Sequence, residues 1–389
     1  MSEKLKKLTG KNPKDFEPAA YNLINNCDIE LFAELVENDD FLFDFVKNNV
    51  AKRIKNVINE KNYLNLLHFL KYYSPSYEDV IISTLVKYAN EDLTDIILEK
   101  FENGTDEEKT YAAKYFAYVK DSLAQPYLIE NAYSDSDYLA HNCAYTLGIW
   151  NDKESYNNAI EMLKNNDDFE RVRAVKFLCS YSNKEAVPSI IEAMKKSAMS
   201  ENIAGEIPYI MDLFELLDKY YDSALLVINN IINGLGEILP LSVVFDFELY
   251  DVFENLLNKT DDSRCAVVLL NAIEKFDTLT ENDEYLFDED KDTKNEINDI
   301  KKNLDKIDKN KLKNLCENEL NEKSPLVFTA LEFSTNPITV QNLLQSDNQT
   351  LILKTAETLK KLNAFKETDR TVALLKVTDL NIKEIIRAL

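Results

Sequence analysis

Glycine and proline are scarce in this chain: 6 and 9 among 389 residues, about 4% together, against an average near 12%. That shortage works against turn-rich β folds and against glycine-loop nucleotide sites. Histidine occurs only at His68 and His141, far apart and without an HExxH spacing. Neither a metal centre nor a Ser–His site is indicated, and no cofactor is expected. The five cysteines, Cys27, Cys143, Cys179, Cys265 and Cys316, are odd in number and include no CxxC. They read as free thiols of a reducing compartment, not as a disulfide or zinc framework. There is no run of about 18 apolar residues, and the stretch Met1 to Thr9 lacks the apolar core of a leader, so a cytoplasmic protein is expected.

What is present is apolar material and negative charge. Hydrophobic residues make up 45% of the chain and charged residues 29%, enough to fold most of its length. A chain this long exceeds the ~250–300 residues at which one core stops growing, so it must split into domains or extend as an array. The 69 acidic side chains outnumber 45 basic ones, for a net charge of −24. Such a surface repels phosphate backbones and anionic lipid, so neither nucleic acid nor membrane is an expected partner. A protein partner with a basic segment is complementary to it, although the same charge also serves solubility. Oligomeric state is not legible.

The array reading follows from internal repetition. Between Thr105 and Ser197, equivalent residues recur at an offset of 31: Ala112, Cys143 and Ala174; Phe116, Leu147 and Leu178; Ile129, Ile160 and Ile191. A two-helix unit of this length is the mark of an α-solenoid. The register extends backwards through a column of short polar residues, Asp28, Asn59, Asn90, Asp121, Asp152 and Asn183, placed to turn the chain and cap the second helix of each unit. Asp106, Asp137 and Asp168, with Asp44 earlier, stand where first helices should start and are assigned a capping role. The small column Ala117, Gly148 and Cys179 suits close helix approach. Ile129, Ile160 and Ile191, preceded by Leu98, Leu67 and Val36, are expected to form a buried aliphatic row.

The expected fold is thus all-α, an α-solenoid (superhelix) of antiparallel helix pairs with a 31-residue period in the N-terminal half. Residues 1–12 read as a flexible tail and 13–198 as about six regular repeats. Beyond them the register slips, Ile228 lying 37 residues after Ile191, and 199–276 read as irregular helical repeats. Residues 277–310, dense in Asp, Glu and Lys, read as an acidic loop and an exposed helix dividing the chain. Residues 311–389 read as C-terminal helical repeats with a capping helix.

The Asp-led first helix, the Ala/Cys/Ala column, Leu147–Gly148, the Asx turn and the Ile-rich second helix resemble HEAT repeats, of the short bacterial type also seen in phycobilin-lyase subunits. The resemblance covers roughly residues 13–198. It implies an α-solenoid that mediates protein–protein contacts along a concave face lined by second helices. It also leaves open a lyase or cofactor-chaperone subunit and, more remotely, a HEAT-like DNA glycosylase, which the net charge disfavours. The helix-A arginine of that family appears here as Arg171 alone, with Lys109, Ala140, Glu78 and Lys47 at matching positions.

Three patterns bear on function. Asp288, Asp290, Asp292 and Asp299 have the spacing of calcium-loop positions 1, 3, 5 and 12, but Thr293 stands where glycine is needed, and a solvated charge run is the ordinary reading. The tyrosines Tyr111, Tyr115, Tyr118, Tyr127, Tyr133, Tyr138 and Tyr145 cluster in the middle repeats, some for the core and some for contact. Glu99, Glu130, Glu161 and Glu192, prolonged by His68 and Glu37, follow the aliphatic row by one position and should point outward. They are the candidate partner-binding row. Glu161 with Lys164, and Glu192 with Lys195 and Lys196, also have the i,i+3 and i,i+4 spacing of an ordinary solvated face. No catalytic set is discerned, and the expectation is a non-enzymatic scaffold or adaptor.

Overall fold

A computed structural model describes residues 1–286 and 289–389. Among these the chain is all-helical, the sole β feature being an isolated bridge between Leu235 and Leu239. It divides into two compact units, Met1–Asn183 and Lys184–Leu389. This division lies well before the acidic stretch 277–310 that the composition singles out.

The first unit opens with α1 (Glu3–Thr9), followed by α2 (Pro13–Asn25), α3 (Ile29–Glu37), α4 (Asp44–Val57) and, after a 3-10 turn at Tyr63–Phe69, α5 (Pro75–Lys87). Then come α6 (Glu91–Asn103), α7 (Asp106–Tyr118), α8 (Gln125–Asn131), α9 (Asp137–Ile149), α10 (Lys153–Met162) and α11 (Asp168–Tyr181). Helices α2, α4, α5, α7, α9 and α11 pack on one another in that order, and α6, α8 and α10 pack against the first helix that follows each. This stacking of sequential helix pairs is an α-solenoid arrangement. Residues 1–12, expected as a tail, instead hold α1: Ser2 caps it, Leu5 and Leu8 are fully buried, and Arg53 donates to the Leu8 carbonyl at 2.6 Å. Two leucines on one face cover the end of the stack.

The starts of the six first helices, Pro13, Asp44, Pro75, Asp106, Asp137 and Asp168, occupy one column of the sequence. This corrects the capping assignment. Asp106, Asp137 and Asp168 are already the first helical residues, and the cap positions are Thr105, Ser136 and Asp167. Thr105 closes a reciprocal capping box with Glu108, and Asp167 accepts the Phe169 N–H at 2.9 Å. The aspartates one place later favour the positive helix end instead. The aliphatic row shifts by one in the same way. Leu35, Leu66, Ile97, Leu128, Ala159 and Ile190 are buried, whereas Val36, Leu67, Leu98 and Ile160 are half-buried and Ile129 is exposed. Only Ile191 of the expected row is fully covered.

The Asx column is mixed in role. Asp28 and Asn90 accept the N–H groups of Leu31 and Leu93 and cap α3 and α6; Asp121 accepts that of Leu123 and caps a 3-10 turn ahead of α8. Asn59 accepts from Lys61 in a turn that no helix follows directly, and Asp152 accepts the Ser155 hydroxyl rather than a backbone N–H. Asn183 closes the unit, just ahead of a 3-10 turn at Lys184–Ala186. Gly148 sits where α9 meets α11: a Cβ there would lie 2.4 Å from the Tyr181 carbonyl oxygen.

The second unit comprises α12 (Val187–Met194), α13 (Ser200–Glu206), α14 (Leu213–Lys219), α15 (Tyr221–Gly234), α16 (Val243–Asp246), α17 (Leu249–Leu257) and α18 (Ser263–Glu281). It continues with α19 (Asp283–Leu286), α20 (Lys291–Leu304), α21 (Lys309–Cys316), α22 (Val327–Phe333), α23 (Pro337–Asn342), α24 (Gln349–Lys361), α25 (Glu367–Lys376) and α26 (Leu380–Ala388). Helix α18 is the longest and packs against α15, α17, α19, α20, α21 and α22. After α15 the chain turns at Gly236, whose φ of +76° suits glycine. The acidic stretch is less solvated than its composition suggests, because α20 buries Ile297, Ile300 and Leu304. Helix α26 packs on α24 and α25, with Ile386 buried and Ile385 exposed. No helix among the described residues is long and apolar enough to cross a membrane.

Candidate functional site

A concavity in the first unit lies along its first helices. A cavity of about 320 Å³ runs across α5, α7 and α9. Helix α5 contributes Glu78, Asp79, Ile82, Ser83 and Val86; α7 contributes Lys114, Ala117 and Tyr118; α9 contributes Asn142 and Tyr145. The lining is set by helical spacing: on each helix these residues fall three or four apart, on one face. Small Ala117 between Ile82 and Tyr145 leaves the space that a larger residue would fill.

The cavity's charges are mostly committed. Lys114 pairs with Glu78, whose carboxylate also accepts the Tyr73 hydroxyl at 2.6 Å. Burial first, then that carboxylate, pushes the Tyr73 phenol far above its ordinary pKa. The Lys114 ammonium lies 5.5 Å from the Tyr73 ring centroid, a cation–π arrangement. Lys55 donates to Ser83 at 3.4 Å. Asn142 is buried and donates to the Tyr138 carbonyl at 2.6 Å. Tyr118 and Tyr145 are 72% and 46% exposed, large for aromatic rings in a protein wall. The result is a half-open slot with apolar floor, aromatic sides, one internal ion pair and the Asp79 carboxylate.

His141 stands beside this slot, stacked on Tyr145, with Nδ1 3.0 Å from the Ser180 hydroxyl. Histidine spacing gave no hint of this pairing, which depends on α9 and α11 lying side by side. Burial, then Lys114, holds the imidazole below its ordinary pKa, so it is neutral at pH 7. Among the described residues no carboxylate hydrogen-bonds to the ring to orient it as a general base. Three of the five thiols are equally quiet. Burial pushes Cys265 and Cys316 up to about 12, and Cys143 higher still, which leaves them protonated and unreactive.

Glu99, Glu130 and Glu161 of the candidate row lie in the first unit and Glu192 in the second; all four are exposed, as are Glu37 and His68. Glu161 pairs with Lys164 at 2.6 Å, and Glu192 with Lys196 at 2.9 Å and Lys195 at 4.0 Å. No ion pair engages Glu99 or Glu130 among the described residues. None of the row lines the cavity, which belongs to the other helix of each pair. Tyr111 and Tyr115 are core residues, while Tyr138 is exposed. Arg171 pairs with Asp168 and donates to the Asn165 carbonyl.

The calcium-loop spacing does not form a loop. Asp288 lies outside the described residues, Asp290 caps α20 through the N–H groups of Asp292 and Thr293, and Asp292 and Asp299 are in the helix itself. Asp299 pairs with Lys302 at 2.8 Å. No cluster of three metal-ligating side chains occurs among the described residues. No family model matches the chain, and no curated protein sequence is significantly similar to it. The HEAT resemblance therefore stands on the repeat columns alone.

Proposed function

We propose that this chain is a non-catalytic helical-repeat scaffold that holds a segment of a protein partner. The observation that carries this reading is the slot across α5, α7 and α9, walled by Tyr118 and Tyr145. Exposed aromatics beside an apolar floor are the composition of contact surfaces, where rigid rings gain area at small entropic cost. A volume of about 320 Å³ is at the lower edge of the ~300–1,000 Å³ of pockets that engulf a small ligand. It suits one or two side chains of a peptide, not a bulky cofactor. The Glu78–Lys114 pair supplies polarity that fixes orientation more than affinity, and Asp79 adds a negative charge to the lining.

In this reading the partner's segment crosses the first helices, and the glutamate row on the second helices is a solvated face that keeps the molecule soluble. The experiment is selection of a random peptide display library on the full chain, followed by affinity measurement of enriched peptides on Tyr118→Ala and Tyr145→Ala. A shared sequence pattern is expected, with affinity falling at least about tenfold in each variant. Selection that enriches nothing, or peptides indifferent to both substitutions, overturns the proposal. Peptides that respond instead to Glu99→Lys and Glu130→Lys move the site to the acidic row.

A further inference from the structure

The six first helices supply an internal control on what the fold requires just before each begins. At five of those places stand Asn12, Ser74, Thr105, Ser136 and Asp167, all residues suited to the cap position, and Asn12, Thr105 and Asp167 accept a backbone N–H there. The sixth is Phe43, which has no side-chain acceptor to offer. Phe43 is 83% exposed, and Phe41 and Phe45 beside it are 84% and 70% exposed. Folding gains nothing from a ring that neither caps nor packs.

The connection carrying these rings is held at both ends. Asp39 accepts the Ser76 hydroxyl at 2.7 Å and lies close enough to Tyr77 for its carboxylate, after burial, to raise that phenol's pKa. On the other side the Phe43 carbonyl accepts the N–H groups of Val46 and Lys47 at 2.7 and 3.1 Å, in the first turn of α4. Phe41 ends a 3-10 turn, and Leu42 and Phe43 are extended. The rings are thus presented from a pinned backbone, which lowers the entropy lost on contact.

We infer that Phe41, Phe43 and Phe45 form a docking edge that enters an apolar pocket on a protein partner whose rim carries Lys or Arg. This site is separate from the slot across α5, α7 and α9 and does not depend on it. Charge decides the rim: Asp40 and Asp44 are interleaved with the rings and exposed, and Lys47 lies 3.9 Å from Asp44. Charge also decides against a second copy of this chain. Three aromatic rings offer on the order of 400–600 Å² to any protein partner, below the ~800 Å² of a standard stable interface and so suited to a transient one, and self-association would in addition set −24 against −24. A bilayer is disfavoured because Asp40 and Asp44 would leave water together with the rings.

Two measurements on the full chain test this. Phe43→Ser restores the residue type of the sibling positions, so thermal stability should hold or rise; a fall shows that Phe43 serves the fold and overturns the inference. The binding probe is a synthetic amphipathic Leu/Lys peptide, compared with the same peptide carrying Glu in place of Lys. The Lys peptide should bind and the Glu peptide should not, with affinity for the Lys peptide falling at least about tenfold in Phe43→Ser and in the Asp40→Lys, Asp44→Lys pair. Glu99→Lys with Glu130→Lys, which reverses the same number of charges elsewhere, should leave it unchanged. Equal loss in that control reduces the effect to bulk charge. Self-association abolished by Phe43→Ser, or binding to phosphatidylcholine vesicles abolished by it, assigns the edge to another occupant. Each of these three results overturns the inference.

Discussion

In Met1–Asn183 the buried positions recur from one helix pair to the next, so that Leu23, Ile54, Leu85, Phe116, Leu147 and Leu178 do the same work in six successive first helices. In Lys184–Leu389 the core is gathered instead on α18, which packs against six other helices and carries eleven buried residues. A stack of pairs spreads its stability over nearest-neighbour contacts, whereas a hub concentrates it in one element. The same chemistry of apolar stripes on helices therefore gives two different responses to damage.

The largest contrast is expected in the cores. Phe276 on α18 is fully buried and edge-on to Phe253 at 5.9 Å. Phe276→Ala should cost about 3–5 kcal/mol in denaturant unfolding, and hydrogen exchange should show α15, α17, α20 and α21 losing protection together. Phe116→Ala, in the first unit, should cost a similar amount while exposing only α6, α7, α9 and their immediate neighbours. Equal spread of exchange in the two variants would erase the contrast between hub and stack.

A second break is polar. Asn271 on α18 donates to Asn229 at 2.9 Å and to Asn233 at 2.8 Å, and Asn229 donates to Thr329 at 2.9 Å, a network inside the second unit. Asn271→Leu strips both acceptors of their donor and should cost about 1–3 kcal/mol. Chemical denaturation checks it; a neutral or stabilising result would show that the network specifies packing rather than holding it. In the first unit the comparable point is apolar. Gly148→Ala drives a methyl against the Tyr181 carbonyl and should cost about 1–3 kcal/mol, read from the midpoint of thermal unfolding.

How much of this was legible in the chain turns on single residues. The all-helical character and the first-helix starts at Asp44, Asp106, Asp137 and Asp168 followed from spacing, because an apolar stripe every 3.6 residues has few alternatives in a chain so poor in glycine and proline. The column assignments slipped by one at Asp106 against Thr105, and at Ile129 against Leu128. Both members of each pair satisfy the local rule, and only backbone angles or the neighbouring helix chooses between them. The slip had a consequence: with Asp44 taken as the cap, the anomaly at Phe43 was hidden. The slot across α5, α7 and α9 was out of reach, since it exists in the lateral spacing of three helices and not in any one of them.

The smallest expected effect is on pH dependence. Burial raises the Glu108 carboxyl, but the Lys100 ammonium at 2.6 Å and the Thr105 N–H more than offset this and hold it below the usual carboxylate range. A lowered folded-state pKa contributes stability that is present above the ordinary glutamate value and lost as pH falls through the lowered one. Glu108→Gln should therefore flatten the acid limb of stability below about pH 5. An unchanged limb in urea titrations at several pH values would assign acid sensitivity elsewhere, Asp277 in the second unit being another group held low, its burial outweighed by Lys301 and Lys309.

The sequence by itself determined that this is a helical chain of repeated pairs, because periodicity and the shortage of helix breakers are local properties. It also placed Glu99, Glu130, Glu161 and Glu192 on the outside, although the distance is two residues, about 200° of helix, past the buried Ile97, Leu128, Ala159 and Ile190 rather than one past Leu98 and Ile129. Only the tertiary structure decided where the chain divides, which helix serves as the hub, which column is deepest and which first-helix faces leave a slot. Those outcomes depend on how side chains from distant segments fill the space between helices, and that volume is shared among neighbours rather than assigned by any one stretch of sequence.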